Sequence, residues 1–212
     1  MILHDYFRSS AAYRVRIALN LKRLEPERRF VHLRKGEQRT PAFLEVNPQG
    51  LVPALVLDDG TALTQSLAII EYLDEKHPAP PLLPRGAEDR AFVRAIALAI
   101  ACDIHPLNNL RVLQYLGSAC GVDEPKRDEW YRHWIDVGFA AIEPQLAGRA
   151  SGRYALGDAP TLADICIVPQ VANASRLTVP MDPYPRIRAV NEACLAHAAF
   201  DRARPQVQPD AE

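Results

Sequence analysis

The sequence predicts a small mixed α/β domain followed by an all-helical domain. In its first third, short apolar stretches typical of strands alternate with stretches of helical periodicity. A proline-rich stretch at residues 77–84 interrupts this pattern, and only helical periodicity follows it. With 212 residues the chain is long enough for two such domains. We therefore predict a first domain at residues 1–77, a linker at 78–86 and a helical domain at 87–212.

The first domain is predicted to follow the order β-α-β and then β-β-α. Its third strand carries a proline near its start, and Asp58-Asp59-Gly60 is a strong hairpin signal between the third and fourth strands. The predicted strands cover residues 2–7, 30–33, 51–57 and 62–65, and the predicted helices begin near residues 10 and 66. This order predicts a small mixed sheet with helices packed on it.

In the second domain, apolar residues recur at helical spacing over long stretches. Thr161 and Asp164 form a capping-box-like start, with Asp in place of the usual Glu, and we interpret both as structural. The predicted helices cover residues 88–116, with a kink near Pro106, then 124–146, a stretch from 161 and a stretch at 184–195. A loop is predicted at 148–157 and a loose tail at 206–212.

Composition and charge are those of an ordinary globular protein and argue against several classes of function. Hydrophobic residues make up 48% of the chain, charged residues make up 24%, and the net charge is −1. This balance predicts no binding to nucleic acid or to an anionic membrane surface. Residues 1–5 lack the features of a signal peptide, and the longest apolar run, at 95–102, is too short to span a bilayer. We therefore expect a cytoplasmic protein.

The cysteines give no sign of a disulfide framework or a metal site. All four are widely spaced, and none belongs to a C-x-x-C pair, so we expect reduced, mostly buried thiols. Cys102 and His105 lie three residues apart and could meet on one helix face. Two ligands do not make a metal site, so no metal is predicted.

The corner between the first strand and the first helix is the strongest candidate for chemistry. Ser9 and Ser10 stand there, and serine favours the N-cap position of a helix. A hydroxyl at that place lies beside unpaired backbone N–H groups and the positive end of the helix dipole. Such a corner suits an anion, whether a phosphate, a carboxylate or a thiolate. From these residues alone, a simple cap without a ligand is the alternative.

The order of the elements and several local motifs resemble those of the cytosolic glutathione transferases, in particular the zeta class. The resemblance covers nearly the whole chain. Its motifs are RSS at 8–10, YRVRIAL at 13–19, NPQGLVP at 47–53, QSLAIIEYL at 65–73, DIHPLNN at 103–109 and VPQVANA at 168–174. It implies a thioredoxin-like α/β N-terminal domain, an all-α C-terminal domain and glutathione as the cofactor.

The resemblance also assigns roles at the glutathione site. Ser9 would hold the glutathione sulfur. Val52 would pair its backbone with the cysteinyl part, which requires a cis peptide bond between Val52 and Pro53. The γ-glutamyl carboxylate would lie at the helix N-terminus formed by Gln65 and Ser66. The implied glutathione-binding residues are Ser9, Gln49, Val52, Pro53, Gln65, Ser66, His105 and Asn109.

Several of these roles have alternatives. Ser10 takes the catalytic role if Ser9 is only a cap, and His105 is a packed structural residue if it does not reach glutathione.

Three arginines are implied to bind the substrate: Arg8, Arg111 and Arg176. For each of them a solvated surface charge is the alternative. Arg14 and Arg16 are interpreted as helix-face or buried ion-pair residues.

The activity that the resemblance implies is glutathione-dependent cis–trans isomerisation in the breakdown of aromatic compounds such as tyrosine. A maleyl keto diacid, either maleylacetoacetate or maleylpyruvate, would become its fumaryl isomer through reversible addition of the thiolate. Zeta-class loops often carry a cysteine after the two serines, and Ala11 and Ala12 stand there instead, which excludes a cysteine nucleophile in this loop. The alternatives are a transferase or dehalogenase acting on small halo-acids and a non-enzymatic binding protein. A homodimer is also implied.

Overall fold

A computed structural model describes residues 1–149 and 152–212 of the chain. It divides into two compact units. The first unit comprises Met1–Leu82 and Ala196–Glu212, and the second comprises Leu83–Leu195. None of the helices in the described residues has the length and apolar character needed to cross a membrane.

The first unit contains a mixed sheet with the strand order β2-β1-β3-β4. Its strands are β1 (Ile2–Asp5), β2 (Glu27–Phe30), β3 (Ala54–Val56) and β4 (Ala62–Thr64). β1 pairs with β2 in parallel, whereas the β1–β3 and β3–β4 pairs are antiparallel. Gly60 has a φ of 87° in the turn that joins β3 to β4, a conformation that favours glycine. The predicted order of strands and helices and the predicted hairpin are confirmed.

Helices pack with this sheet and supply about half of the apolar core of the unit. They are α1 (Ser10–Lys22), α2 (Pro41–Val46) and α3 (Ser66–Lys76). α1 and α3 pack against each other, and Val15, Ala18, Ile69 and Leu73 are completely buried. Burying each Val, Ile or Leu side chain contributes roughly 1.5–3 kcal/mol, so this packing holds α1 and α3 together.

The second strand lies earlier in the chain than the sequence predicts. A strand was expected at residues 30–33, but β2 covers Glu27–Phe30. β2 is an edge strand of the sheet, and such a strand tolerates the polar side chains that obscure its pattern. Val31 and Leu33, which gave the apolar signal, pack instead in a local cluster beyond the end of the strand.

The second unit is helical, as predicted. Its helices are α4 (Ala87–Leu98), α5 (Leu110–Ser118), α6 (Glu124–Gly148), α7 (Leu162–Arg176) and α8 (Pro185–Leu195). Thr161 and Asp164 form a reciprocal capping box at the start of α7, which confirms their structural interpretation. The loop predicted at 148–157 includes Ala150 and Ser151, which lie outside the described residues.

The sequence predicts one helix at residues 88–116 with a kink near Pro106, and the structure instead has separate helices with a break that includes Pro106. α4 ends at Leu98, a π-helical segment covers Ala99–Ile104, and a turn then leads into α5. Asn109 caps α5 with its side chain, so a new helix starts there. Gly138 of α6 faces this segment, and a Cβ at that position would overlap the side chain of Ile104. Because the apolar periodicity of the sequence continues through the break, the periodicity does not reveal where α4 ends.

The C-terminal residues are ordered and belong to the first unit, which corrects two predictions. The sequence places residues 87–212 in one helical domain and treats 206–212 as a loose tail. In the structure, Ala198–Asp201 forms α9, and Arg28 Nη1 donates to Gln208 Oε1 at 2.8 Å. Hydrogen bonding with His32 lowers the pKa of the Glu212 carboxyl.

Candidate active site

Ser9 is the N-cap of α1. Its backbone is extended, with φ −71° and ψ 115°, and its Oγ accepts a hydrogen bond from the N–H of Ala12 at 3.2 Å. This confirms the predicted cap. The hydroxyl hydrogen can still be donated, because an O–H group accepts and donates independently. Ser10, the first residue of α1, is buried, whereas Ser9 is half-buried and Arg8 is exposed. Ser9 therefore offers a donor beside the positive end of a helix.

The loop that leads into β3 is organised by Asn47. This buried side chain donates to Leu51 O at 2.7 Å and accepts from Gln49 N at 3.1 Å. The peptide bond between Val52 and Pro53 is cis, as the predicted backbone pairing with glutathione requires. Asn47 was not among the predicted site residues, although its polar side chain before Pro48 is a recognisable turn signal.

This loop lies against the corner that carries Ser9. Val52 belongs to one buried cluster with Tyr6 and Phe7, the residues that precede Arg8 and Ser9 in the chain. Burial raises the pKa of the Tyr6 hydroxyl, so that group stays protonated near neutral pH. The cluster places the corner and the cis-proline bend next to each other in the first unit.

The N-terminus of α3 brings together three more predicted residues. Gln65 precedes the helix with a φ of 68°, and its Nε2 donates to Gln49 Oε1 at 3.0 Å. Ser66 is buried at the first position of the helix, and its Oγ accepts from Arg14 Nη1 at 3.3 Å. A non-glycine residue at positive φ is often found at a ligand site. Backbone N–H groups, an amide and a nearby guanidinium form a suitable environment for a carboxylate.

These features fit glutathione in this unit. The tripeptide needs a donor for its sulfur, a backbone segment beside its cysteinyl part and an anion site for its γ-glutamyl carboxylate. Ser9, the loop before β3 and the start of α3 offer one each. No group of three metal-ligating side chains occurs in the described parts of the chain.

The remaining predicted residues lie in the second unit. His105 follows the π-helical segment and its N–H donates to Ile100 O at 2.9 Å. Asn109 caps α5 by accepting from Arg111 N at 3.1 Å, which leaves its amide N–H groups for other partners. Arg111 and Arg176 are exposed. Arg176 Nη2 donates to Tyr131 Oη at 3.0 Å. Tyr131 was missed because nothing in the sequence links a residue of α6 to the end of α7.

Two further predictions are settled by burial. Arg16 forms a buried ion pair with Asp5 at 2.7 Å, which confirms its predicted structural character. The expectation of mostly buried thiols is wrong for Cys102 and Cys120, which are exposed, whereas Cys166 and Cys194 are buried.

Comparison with known proteins gives consistent matches. Residues 8–76 match the family model described as glutathione S-transferase, N-terminal domain. A probable maleylacetoacetate isomerase of Vibrio cholerae is 51% identical over 100% of this chain and 98% of its own. The holo structure of a maleylpyruvate isomerase, a bacterial zeta-class glutathione S-transferase, is 49% identical and has a TM-score of 0.97, covering 100% of both chains.

A third match was solved with ligands. It is a maleylacetoacetate isomerase from Anaeromyxobacter dehalogenans with bound dicarboxyethyl glutathione and citrate in the active site. It is 42% identical with a TM-score of 0.88, and the alignment covers 99% of this chain and 96% of that one.

Proposed function

Because this chain belongs to the zeta-class glutathione S-transferase family, we propose that it isomerises a maleyl keto diacid to its fumaryl form with glutathione as cofactor. The observation that carries the proposal is Ser9, a helix-capping serine whose hydroxyl keeps a hydrogen to donate at the N-terminus of α1. Such a donor can stabilise the thiolate of glutathione at the start of the helix.

When bound, glutathione supplies a thiolate that adds to the conjugated C=C bond and leaves after rotation about the resulting single bond. Ser9 makes this possible because a free thiol has a pKa of about 8.5 and is mostly protonated near neutral pH. A hydrogen bond to a charged group contributes roughly 1.5–3 kcal/mol. At about 1.36 kcal/mol per pKa unit, this lowers the thiol pKa by about one to two units. The N-terminus of α1 acts in the same direction.

The loop before β3 and the start of α3 bind the parts of glutathione that lie away from its sulfur. The side chains of Gln49 and Gln65 are hydrogen-bonded to each other. Ser66 accepts a hydrogen bond from the buried Arg14. We assign the γ-glutamyl carboxylate to this cluster, since its donors converge at a helix N-terminus. Val52 and Pro53 supply the backbone edge for the cysteinyl part.

The substrate carboxylates are assigned to arginines. Arg8 adjoins Ser9, while Arg111 and Arg176 belong to the second unit, where His105 and Asn109 are further candidates for glutathione contacts. A guanidinium binds a carboxylate through two parallel N–H bonds and stabilises negative charge that develops on the substrate. Ala11 and Ala12 leave the thiol chemistry to the cofactor.

The chemistry of a known ligand supports this assignment. Dicarboxyethyl glutathione, bound by the Anaeromyxobacter dehalogenans relative, is a glutathione derivative with a two-carboxylate unit. A compound of that composition forms when a thiol adds across the C=C bond of a butenedioate.

We further propose a cytoplasmic homodimer acting in aromatic-compound catabolism, including that of tyrosine. Light scattering on the purified protein tests the oligomeric state.

The test is a side-by-side assay of maleylacetoacetate and maleylpyruvate, each with and without glutathione. We expect glutathione-dependent isomerisation of at least one of them, and the ratio of kcat/KM values identifies the preferred diacid. A small halo-acid is assayed in parallel for halide release. Halide release that exceeds isomerisation of both diacids would replace the proposal with the dehalogenase alternative, and failure to bind glutathione-agarose would refute both.

A further inference from the structure

We infer that Arg16 and Asp210 are positioning residues for Ser9, so that the C-terminal segment at residues 196–212 contributes to the glutathione-thiol site. The inference rests on the proposed role of Ser9. It concerns the backbone corner formed by Tyr6 and Phe7, which joins the end of β1 to Arg8 and Ser9.

Arg16 holds the corner from the side of α1. Its Nη1 donates to Tyr6 O at 3.3 Å, and its Nη2 donates to Phe7 O at 3.0 Å. The same Nη1 donates to the fully buried carboxylate of Asp5 at 2.7 Å. Its Nε donates to Ala203 O at 3.1 Å, which lies in the C-terminal segment. One buried guanidinium therefore ties the corner, β1 and the C-terminal segment together.

Asp210 holds the same corner from the C-terminal segment directly. Its Oδ2 accepts from the N–H of Phe7 at 2.9 Å across 203 positions of sequence. β1 has ended at Asp5, so the sheet no longer supplies a partner for this N–H group. A buried or half-buried backbone donor without a partner is costly, and the carboxylate removes that cost with a charge-assisted bond.

Together these contacts satisfy both N–H groups and both carbonyls of the corner. Tyr6 N donates to Asp5 Oδ1 at 2.7 Å, and Tyr6 O also accepts from Ser9 N at 3.0 Å. Such a network leaves the corner little freedom to shift. Ser9 follows directly, and a displacement of its hydroxyl by a fraction of an ångström weakens a hydrogen bond to a thiolate.

Other hydrogen bonds already attach the C-terminal segment to the rest of the first unit, so the Asp210 contact is not needed for attachment alone. Gln208 already bonds to Arg28, and its Nε2 bonds to the carbonyls of Arg202 and Arg204 at 2.9 and 2.7 Å. Asn20 Nδ2 donates to Ala199 O at 2.8 Å. The Asp210 contact adds to these an interaction with the residues that lead into Ser9.

The experiment compares Asp210→Ala, which removes the acceptor, with Asp210→Asn, which keeps one. Asp201→Ala is the matched control, because Asp201 lies in the same segment and its carboxylate pairs with Arg204 at 2.7 Å. Three quantities are measured: amide hydrogen exchange of residues 5–10 in the protein without glutathione, the pKa of the bound glutathione thiol from thiolate ultraviolet absorbance, and kcat with KM for glutathione.

For Asp210→Ala we expect roughly tenfold faster exchange at the corner and a rise of about 0.5 or more in the pKa of the bound thiol. We expect kcat to fall about threefold to tenfold, with KM for glutathione changed less than about twofold, since other elements hold the tripeptide. Asp210→Asn should restore most of the wild-type exchange rate, thiol pKa and kcat. Asp201→Ala should match the wild type.

Faster exchange with an unchanged thiol pKa and kcat would show that Asp210 only fastens the segment, and would overturn the inference. Unchanged exchange would overturn it as well. If Asp210→Ala behaves as the wild type while Ser9→Ala is impaired, the inference alone fails. If wild-type protein leaves bound glutathione protonated, the proposed function fails and the inference fails with it.

Discussion

Arg176 rests on Tyr131: its Nη2 donates to the tyrosine Oη at 3.0 Å, and its guanidinium carbon lies 5.4 Å from the centroid of the same ring. Tyr131 is buried, and its backbone carbonyl accepts from Asn108 Nδ2 at 3.2 Å. The exposed Arg176 at the end of α7 is thus positioned by its contacts with a buried tyrosine. Because one contact uses only part of the guanidinium, donors remain for a carboxylate.

Arg176→Ala should raise KM for the diacid about tenfold or more while leaving glutathione affinity nearly unchanged. On the proposed assignment, truncation removes a charge-assisted pair with the substrate, and the residues assigned to the tripeptide lie mainly in the first unit. Steady-state kinetics with each substrate varied in turn measures both constants. Arg188→Ala is the control, since Arg188 is also exposed in the second unit and pairs with Asp182. Equal loss of both affinities would indicate collapse of the helical unit instead.

Tyr131→Phe should raise KM for the diacid about threefold, less than Arg176→Ala does. The substitution keeps the ring beneath the guanidinium but removes the hydroxyl acceptor, which contributes roughly 1 kcal/mol or less once the arginine can move. Double-mutant analysis with Arg176→Ala checks the origin of the effect. If the two changes add without interaction, Tyr131 does not act through Arg176.

Ser9→Ala should lower kcat by roughly one to two orders of magnitude, the equivalent of losing a hydrogen bond of about 1.5–3 kcal/mol to a thiolate. The pKa of the bound thiol should rise in parallel. Ser10→Ala is the comparison, because Ser10 is buried inside the first turn of α1 rather than at its cap. Full activity in Ser9→Ala together with loss in Ser10→Ala would move the catalytic role one residue along.

Much of the fold could be predicted because local patterns and tertiary packing agree there. The hairpin at Asp58-Asp59-Gly60 and the capping box of α7 are encoded within a few residues, and both occur. β2 was misplaced because an edge strand need not be apolar. The kink predicted near Pro106 falls in the break before α5, but the sequence does not show that two separate helices result, because the π-helical segment Ala99–Ile104 still buries Ile100 and Ile104.

The candidate site was predictable only where one short motif carries the chemistry. Ser9, Gln65 and Ser66 lie at helix starts; the capping preference of serine points to Ser9, and the resemblance points to all three. The contacts of Asp210 with Phe7 and of Arg16 with Ala203 join positions about two hundred residues apart. No periodicity or turn signal encodes such contacts, and they follow only from the folded chain.

Acidification should destabilise the protein in part through His4. Burial lowers the pKa of His4 below its ordinary value of 6.5, neighbouring Arg29 lowers it further, and Glu27 opposes them. His4 therefore binds protons more tightly in the unfolded state than in the folded state. The free energy of unfolding that neutral His4 contributes is complete above about pH 6.5 and is lost as the pH falls through the folded pKa. Thermal unfolding at several pH values should show a falling Tm below that point.

His4→Gln should flatten this pH dependence. An identical slope in His4→Gln and in the wild type would assign the effect to other groups.

Isomerase activity should survive alkylation of the protein's cysteines. Ala11 and Ala12 place no sulfur next to Ser9, and Cys166 and Cys194 are buried. Burial and the nearby Asp164 raise the pKa of the Cys194 thiol, which keeps it protonated and unreactive. A mild alkylating reagent should therefore modify the exposed Cys102 and Cys120 first.

After the reagent is removed and fresh glutathione is added, most of the activity should return, because catalysis depends on the thiol of the cofactor. Mass spectrometry identifies the modified cysteines and gives the extent of each reaction. Cys102 is the critical residue, since it lies in the π-helical segment three positions before His105. Cys102→Ala, with Cys120→Ala as its control, separates a chemical role from steric obstruction by the bulky adduct. If Cys102→Ala itself abolishes isomerisation, or if inactivation follows modification of Cys102 and bound glutathione prevents it, a protein thiol takes part in the site.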